Sequence, residues 1–287
     1  MRYVVPVIVS LSLVGTADLT AQVRASERAT VSQTVDGTTI TMDYSRPQVR
    51  GRNPLFGGLV PWGSIWTGAN WATTISADRN ITLDGQPVPA GKYSVWFEVQ
   101  PETWTLILDP VVERIHFMPP PRADNQIRLP VRTETGPYTE LLTWSFPEVR
   151  HTGTTLRFAW GTTAVSLAVG VEPSQRYEVA ADFAERFTGT WQITTQGALG
   201  NGTQRFEVSH RNDRLTVRWE NPPDPRLGTL WLVPRGAGIF APVEVENDQP
   251  WDVSPDVVIE FTPLEGRATK FEVRGIGDEL WGTGIRR

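Results

Sequence analysis

The 287-residue chain contains no cysteine. That excludes disulfide stapling, cysteine-ligated zinc, iron–sulfur clusters and thiol catalysis. Lysine is nearly absent as well, with Lys92 and Lys270 standing beside 25 arginines. The net charge is −5 and the pI is near 5.4. Nucleic-acid affinity comes largely from clustered basic charge, so no nucleic-acid partner is expected. Past residue 14 no apolar run approaches the ~18 residues that a membrane-spanning helix needs. The catalytic patterns H-E-x-x-H, G-x-S-x-G, S-x-x-K and the P-loop do not occur. The three histidines, His116, His151 and His210, fall in different segments. Glu113 and His116 stand three apart but on no convincing helix, so neither a metal nor another cofactor is expected.

What the chain does have is tryptophan, 12 residues of it, and turn formers, 25 Gly and 23 Pro. Residues 1–21, MRYVVPVIVSLSLVGTADLTA, read as a signal peptide. Arg2 supplies the positive start, Val4 to Val14 a mostly apolar stretch of 11 residues, and small and polar residues follow. Cleavage after Ala21 leaves 266 residues, although Leu19 sits where a small residue is preferred. The protein is therefore expected to be exported, to the periplasm or beyond, with no membrane span left after signal removal. Without disulfides its stability must come from its cores alone.

Strand signals dominate the rest. RATVSQTV and TTITMDY flank Asp36-Gly37, a strong hairpin signature. ITL, QPVPAGKYSVWFEV and WTLIL continue as a meander. After the Pro-rich HFMPPPRADN, the runs IRLPVRTE, TELLTWSF, TTLRFAW and AVSLAVGV read as four more strands. Tyr177, Ala180, Ala181, Ala184 and Phe187 then fall at helical spacing behind Pro173. Eight further strand patterns follow, from TWQITTQ to ELWGTGI. The expected fold is all-β, an antiparallel β-sandwich over 25–172 followed by a small lipocalin-like antiparallel β-barrel over 187–287. A short helical linker over 173–186 joins them. Seven tryptophans belong to the first part and five to the second, as two separate cores require.

Residues 44–77 stand apart. These 34 residues hold no Asp or Glu, but include Arg46, Arg50, Arg52, Trp62, Trp66 and Trp71. A connection this long and apolar is expected to be an ordered loop packed on the sandwich. Its YSRP, GRNPLFGGLVPWG and TGAN boxes, with the later AGKYSVW, resemble a bacterial family of exported domains of unknown function, over roughly 28–170. The resemblance implies a β-rich secreted domain and no assigned activity. It also implies an Arg between the Trp and TGAN, whereas here Trp66 is followed directly by Thr67. More loosely, FTGTWQ, LVPRGAGIF and the closing ELWGTGI resemble the lipocalin-like domain that trails some exported β-lactamase-like hydrolases. No catalytic domain of that type is present to carry its chemistry.

Arg46, Arg52, Asn70 and Lys92 are the candidate anion site, since guanidinium forks match carboxylate or phosphate. The competing reading is that the arginines lock the loop through its carbonyls. Trp66 with Trp62 and Trp71 could stack on sugar faces, or plug the sandwich end as core. Trp96, Trp104, Trp144 and Trp160 sit in alternating strands and read as core. Asp43, Asp78, Glu98 and Asp109 read as solvated residues near strand ends. The functional expectation is an exported, non-catalytic binding module. It takes a small anionic or carbohydrate-like ligand, or envelope material, through residues Arg46, Arg52, Trp66, Asn70 and Lys92. The alternatives are an exported hydrolase with an unrecognised acid/base pair and a structural or assembly protein.

Overall fold

The computed structural model describes residues 26–222 and 224–287. The expected signal peptide lies outside them. The strands up to residue 171 are β1 (Arg28–Val35), β2 (Thr38–Ser45), β3 (Ile65–Trp66), β4 (Thr73–Ala77), β5 (Ile81–Leu83), β6 (Gln86–Val88), β7 (Gly91–Glu98), β8 (Thr103–Asp109), β9 (Ile127–Arg132), β10 (Glu134–Ser145), β11 (Val149–Arg150) and β12 (Gly153–Val171). They form two antiparallel sheets. One runs β1-β2-β4-β7-β8-β9 with β3 added to β7, and the other runs β10-β12-β5-β6 with β11 added to β12. The hairpin β5–β6 thus leaves the expected meander and pairs with β12 in the opposite sheet. Between the sheets lies a shared core that includes Ile40, Val95, Phe97, Trp104, Trp144 and Phe158. All four strand tryptophans, 96, 104, 144 and 160, are buried.

TTLRFAW and AVSLAVGV form one strand rather than two. Leu156, Phe158 and Trp160 face the core at even positions, whereas Val165, Leu167, Val169 and Val171 face it at odd ones. A regular strand cannot switch parity, because its side chains alternate strictly. Gly161 makes the switch, with φ +61° and a slipped register opposite Thr139. It acts as a β-bulge, and glycine takes that backbone conformation more readily than any residue with a Cβ.

From residue 189 the chain forms a single sheet: β13 (Gly189–Thr195), β14 (Gly202–Arg211), β15 (Arg214–Trp219), β16 (Thr229–Gly236), β17 (Ile239–Glu246), β18 (Gln249–Val253), β19 (Val258–Thr262), β20 (Lys270–Arg274) and β21 (Leu280–Arg286). Pairing of β16 with β17 closes eight of these strands into an antiparallel barrel, with β18 added outside on β17. Interlocking Phe187, Trp191, Phe240, Phe261 and Phe271 fill the interior. An apolar cavity of only about 30 Å³ remains.

The helix between the two parts, α1 (Ala181–Ala184), is far shorter than the helical spacing suggested. Tertiary bonds account for this. Val179 N–H donates to Asp213 O at 2.7 Å, and His210 Nε2 donates to Val179 O at 2.7 Å. The backbone of Val179 is committed to the barrel and cannot enter a helix ladder. Upstream, Ser174 N–H donates to Asp36 Oδ2 at 2.7 Å, and the Tyr177 hydroxyl meets His151 Nε2 at 2.6 Å. Tyr177 also packs on Trp231 of the barrel, and burial pushes its hydroxyl up to a pKa of about 12. The linker is thereby fastened at both ends.

Arg286 closes the α1 end of the barrel. Its guanidinium lies 4.4 Å over the Trp191 ring and donates to the carbonyls of Ala268, Thr188 and Arg186. Replacing it by methionine removes a donor from all three, although Arg186 O keeps the Ala268 N–H at 3.0 Å and Thr188 O keeps Arg267 Nη2 at 3.5 Å. Arg286→Met should cost about 2–3 kcal/mol in urea unfolding of the barrel, read by tryptophan fluorescence. An unchanged midpoint would show that these bonds carry no net stability.

Candidate functional site

The acid-free stretch begins by changing sheets. Leaving β2, residues 46–50 run antiparallel along β10. Leu142 N–H donates to Pro47 O at 3.0 Å, Val49 N–H donates to Glu140 O at 2.8 Å, and Gln48 bridges Leu141. Arg46 seals this corner by donating from Nε to Leu142 O at 3.2 Å and from Nη2 to Thr143 Oγ1 at 3.1 Å. The chain then folds inward. Phe56 and Trp66 reach the core, where Trp66 stacks on Trp160 at 5.5 Å and 7°. Leu55 packs against the bulge, since a Cβ on Gly161 would lie 2.7 Å from its Cδ1.

This packing leaves a concavity of about 430 Å³ beside the bulge. Its walls are Val49, residues 51–56, Trp62, Tyr138 of β10 and residues 161–163 of β12. Trp62 and Tyr138 are 44% and 60% exposed, unusual values for large aromatic side chains in a well-packed domain. Gly57, φ +80°, carries the Trp62 ring, because a Cβ there would lie 2.4 Å from Trp62 Cε2. Arg52 lies at the concavity with its guanidinium 5.8 Å from the Trp160 ring. It is held by Val49 O at 2.8 Å and by Gln48 O, which leaves further N–H groups of the fork.

The five expected ligand residues are not brought together. Arg52 lines the concavity. Arg46 is bonded to β10, and Trp66 is half-buried and packs against the core. Asn70, at φ +61°, donates from Nδ2 to Ser26 O at 2.9 Å, while its carbonyl takes both the N–H and the Nδ1–H of His116. Lys92 is exposed on the outer face of β7, opposite Ser76 of β4. Strand alternation places it there, with Ser94 and Trp96, while Val95 and Phe97 face the core. The signal that sequence reasoning passed over is Tyr138, an aromatic residue in a strand beside Gly136 and Pro137.

Asp109 is not a solvated residue. It is buried on the outer face of β8, accepting from Val111 N–H at 2.9 Å and Gln126 Nε2 at 2.8 Å, with Arg114 Nε at 3.6 Å. Beside it, Trp96 Nε1 donates to Ser94 Oγ at 3.0 Å, and Ser94 Oγ donates to Val111 O at 2.7 Å. These bonds hold residues 110–126 over a second small apolar cluster of Ala72, Trp96 and Ile107. Among the described residues no group of three or more His, Asp or Glu could hold a metal ion.

The profile of a family described as "Protein of unknown function (DUF2911)" matches residues 26–169, which is 144 of the 287 residues. The chain belongs to this family. The DUF2911 region spans all of β1 to β11 and nearly all of β12, so the concavity lies wholly inside it, while the barrel lies beyond its end. Neither a curated protein nor a solved structure matches the chain.

At the rim of the DUF2911 concavity, Glu140 accepts from the Tyr138 hydroxyl and, at 2.9 Å, from Arg50 N–H. The Tyr138 bond, then the Arg50 amide, hold its carboxyl below the usual glutamate range, while the same bond pushes the Tyr138 hydroxyl up. A carboxyl lowered by folding stabilises the folded loop above its unfolded pKa. That contribution fades as pH falls through the folded value. In Tyr138→Phe the Glu140 pKa, followed by carboxyl carbon NMR, should climb back toward the ordinary value. An unmoved titration would show that the bond is absent in solution.

Proposed function

We propose that the protein is an exported, non-catalytic binding module whose ligand lies in the concavity between the acid-free loop and the Gly161 bulge. The single observation behind this reading is the pair of exposed rings, Trp62 and Tyr138, on one concavity with the Arg52 fork. Flat aromatic faces stack on sugar rings, and a guanidinium adds charge-assisted bonds to a carboxylate or phosphate. A small carbohydrate-like or anionic ligand therefore suits the concavity. Its lining holds no His, Asp, Glu, Ser or Lys, and the rim carboxylate of Glu140 is already committed to Tyr138 and Arg50. This supports binding over hydrolysis.

Export rests on the N-terminal pattern, Arg2 followed by the Val4–Val14 run. A lipocalin-like origin for the barrel fits its eight closed strands. The barrel interior is too full to hold a ligand of any size, so the barrel is assigned a structural role beside the binding domain.

Isothermal titration against neutral and acidic oligosaccharides and small carboxylates tests the reading. Trp62→Ala and Tyr138→Ala should each weaken the ligand that binds by about tenfold, in protein that still melts cooperatively with the wild-type far-ultraviolet circular dichroism. A panel without binding at millimolar concentration, or binding indifferent to both substitutions, would contradict it.

A further inference from the structure

Arg52 offers the concavity one particular edge of its guanidinium. Nε donates to Val49 O at 2.8 Å and Nη2 donates to Gln48 O. These two nitrogens share an edge, which the chain's own carbonyls fill. The other edge, between Nη1 and Nη2, keeps a parallel pair of N–H groups. Among the described residues Nη1 has no partner, and no carboxylate lies within ion-pair distance of Arg52. A parallel N–H pair matches the two oxygens of one carboxylate.

The local charge agrees. Arg50, next to the wall, spends its Nε on the neutral Gln48 Oε1 at 3.2 Å. Glu140 is tied to the Tyr138 hydroxyl and the Arg50 N–H, and both guanidinium groups act on it electrostatically. Two guanidinium groups against this carboxylate leave one positive charge over. That suits a carboxylate better than a phosphate monoester, which carries about −1.5 to −2 at pH 7.

The remaining polar groups on the walls are neutral. Asn53, Thr162 and Thr163 line the concavity, and among the described residues none of their side chains has a hydrogen-bond partner. An amide and two hydroxyls both donate and accept, as a ring of ligand hydroxyls requires. Tyr138 gives its proton to Glu140, so its oxygen is left as an acceptor. The volume of about 430 Å³ falls within the roughly 300–1,000 Å³ of small-molecule sites.

We propose that the ligand is a uronic acid, a sugar that carries a carboxylate on its ring. This rests on the binding function argued above and adds the class of ligand. The sugar ring stacks on Trp62 or Tyr138, and its carboxylate sits on the Nη1–Nη2 edge of Arg52. Asn53, Thr162 and Thr163 bond its hydroxyls.

Glucuronate, galacturonate and mannuronate are titrated calorimetrically into the protein, each beside its neutral parent sugar and its methyl ester. Acetate and glucose 6-phosphate complete the panel. At least one uronate should bind about tenfold or more tightly than its parent, its ester, acetate and the phosphate. Arg52→Lys keeps the charge but removes the parallel N–H pair. It should erase most of that preference and leave the weaker binding of the parent sugar as it was. A parent sugar or ester that binds as tightly as the uronate would overturn the inference and leave the binding function standing. So would acetate or the phosphate binding as tightly, or a preference kept in full by Arg52→Lys. Silence across the whole panel would overturn the binding function as well.

Discussion

The indole of Trp66 lies flat on that of Trp160, and Phe56 meets both edge-on. This contact joins the acid-free stretch to the sandwich core, and most of the local architecture follows from it. Phe56 also packs at 4.5 Å on Trp104, which links through Phe97 and Phe158 to Trp144. The stretch is thus part of the core, with its backbone on the surface. Offset and edge-on pairs each add roughly 0.5–1.5 kcal/mol beyond the area they bury. In a chain without disulfides, a continuous network of such pairs is a large share of what makes the domain stable.

The stack has a geometric precondition in Gly161. The bulge switches the parity of β12 and opens the space that Leu55 enters. Without it, either the first or the second half of β12 would turn its apolar residues to solvent. The same irregularity leaves the concavity with Trp62 and Tyr138 on its walls. Bulges often stand beside binding sites because they re-aim side chains while the surrounding sheet stays rigid. Packing and the proposed binding function therefore share one structural cause. On the other face of the first sheet Ala72, Trp96 and Ile107 form a separate small apolar cluster beside residues 110–126.

Much of the fold was legible in the sequence because its signals are local. Asp36-Gly37, Asp84-Gly85 and Asn212-Asp213 carry positive φ at both turn positions, which is what their residue types favour. The eight barrel patterns alternate clearly enough to be read one by one. The misreadings came from long-range contacts. The parity change in β12 looks like a break until its partner strand is known. The helical spacing at 177–187 yields to bonds from Asp213 and His210. Asp109 resembles any acid near a strand end until residues 110–126 cover it. β18 escaped notice because Pro250 and the outward Trp251 disguise a short added strand. In the site, the composition of 44–77 singled out a segment that lines much of the concavity. It could not say that both Arg46 and Arg52 bond backbone carbonyls while only Arg52 also lines the concavity, nor that Tyr138, far along the chain, completes the wall.

Native-state hydrogen exchange of the loop amides tests the central claim most directly. Gly57 N–H bonds to Val60 O, Val60 N–H to Leu55 O, and Gly63 N–H to Val99 O, each at 2.8 Å. If the aromatic stack makes the loop part of the core, these amides should exchange only when the sandwich unfolds as a whole, with the same opening free energy as the Val95 and Leu106 amides of β7 and β8. Exchange of the loop amides by a separate local opening, orders of magnitude faster than in those strands, would contradict the account.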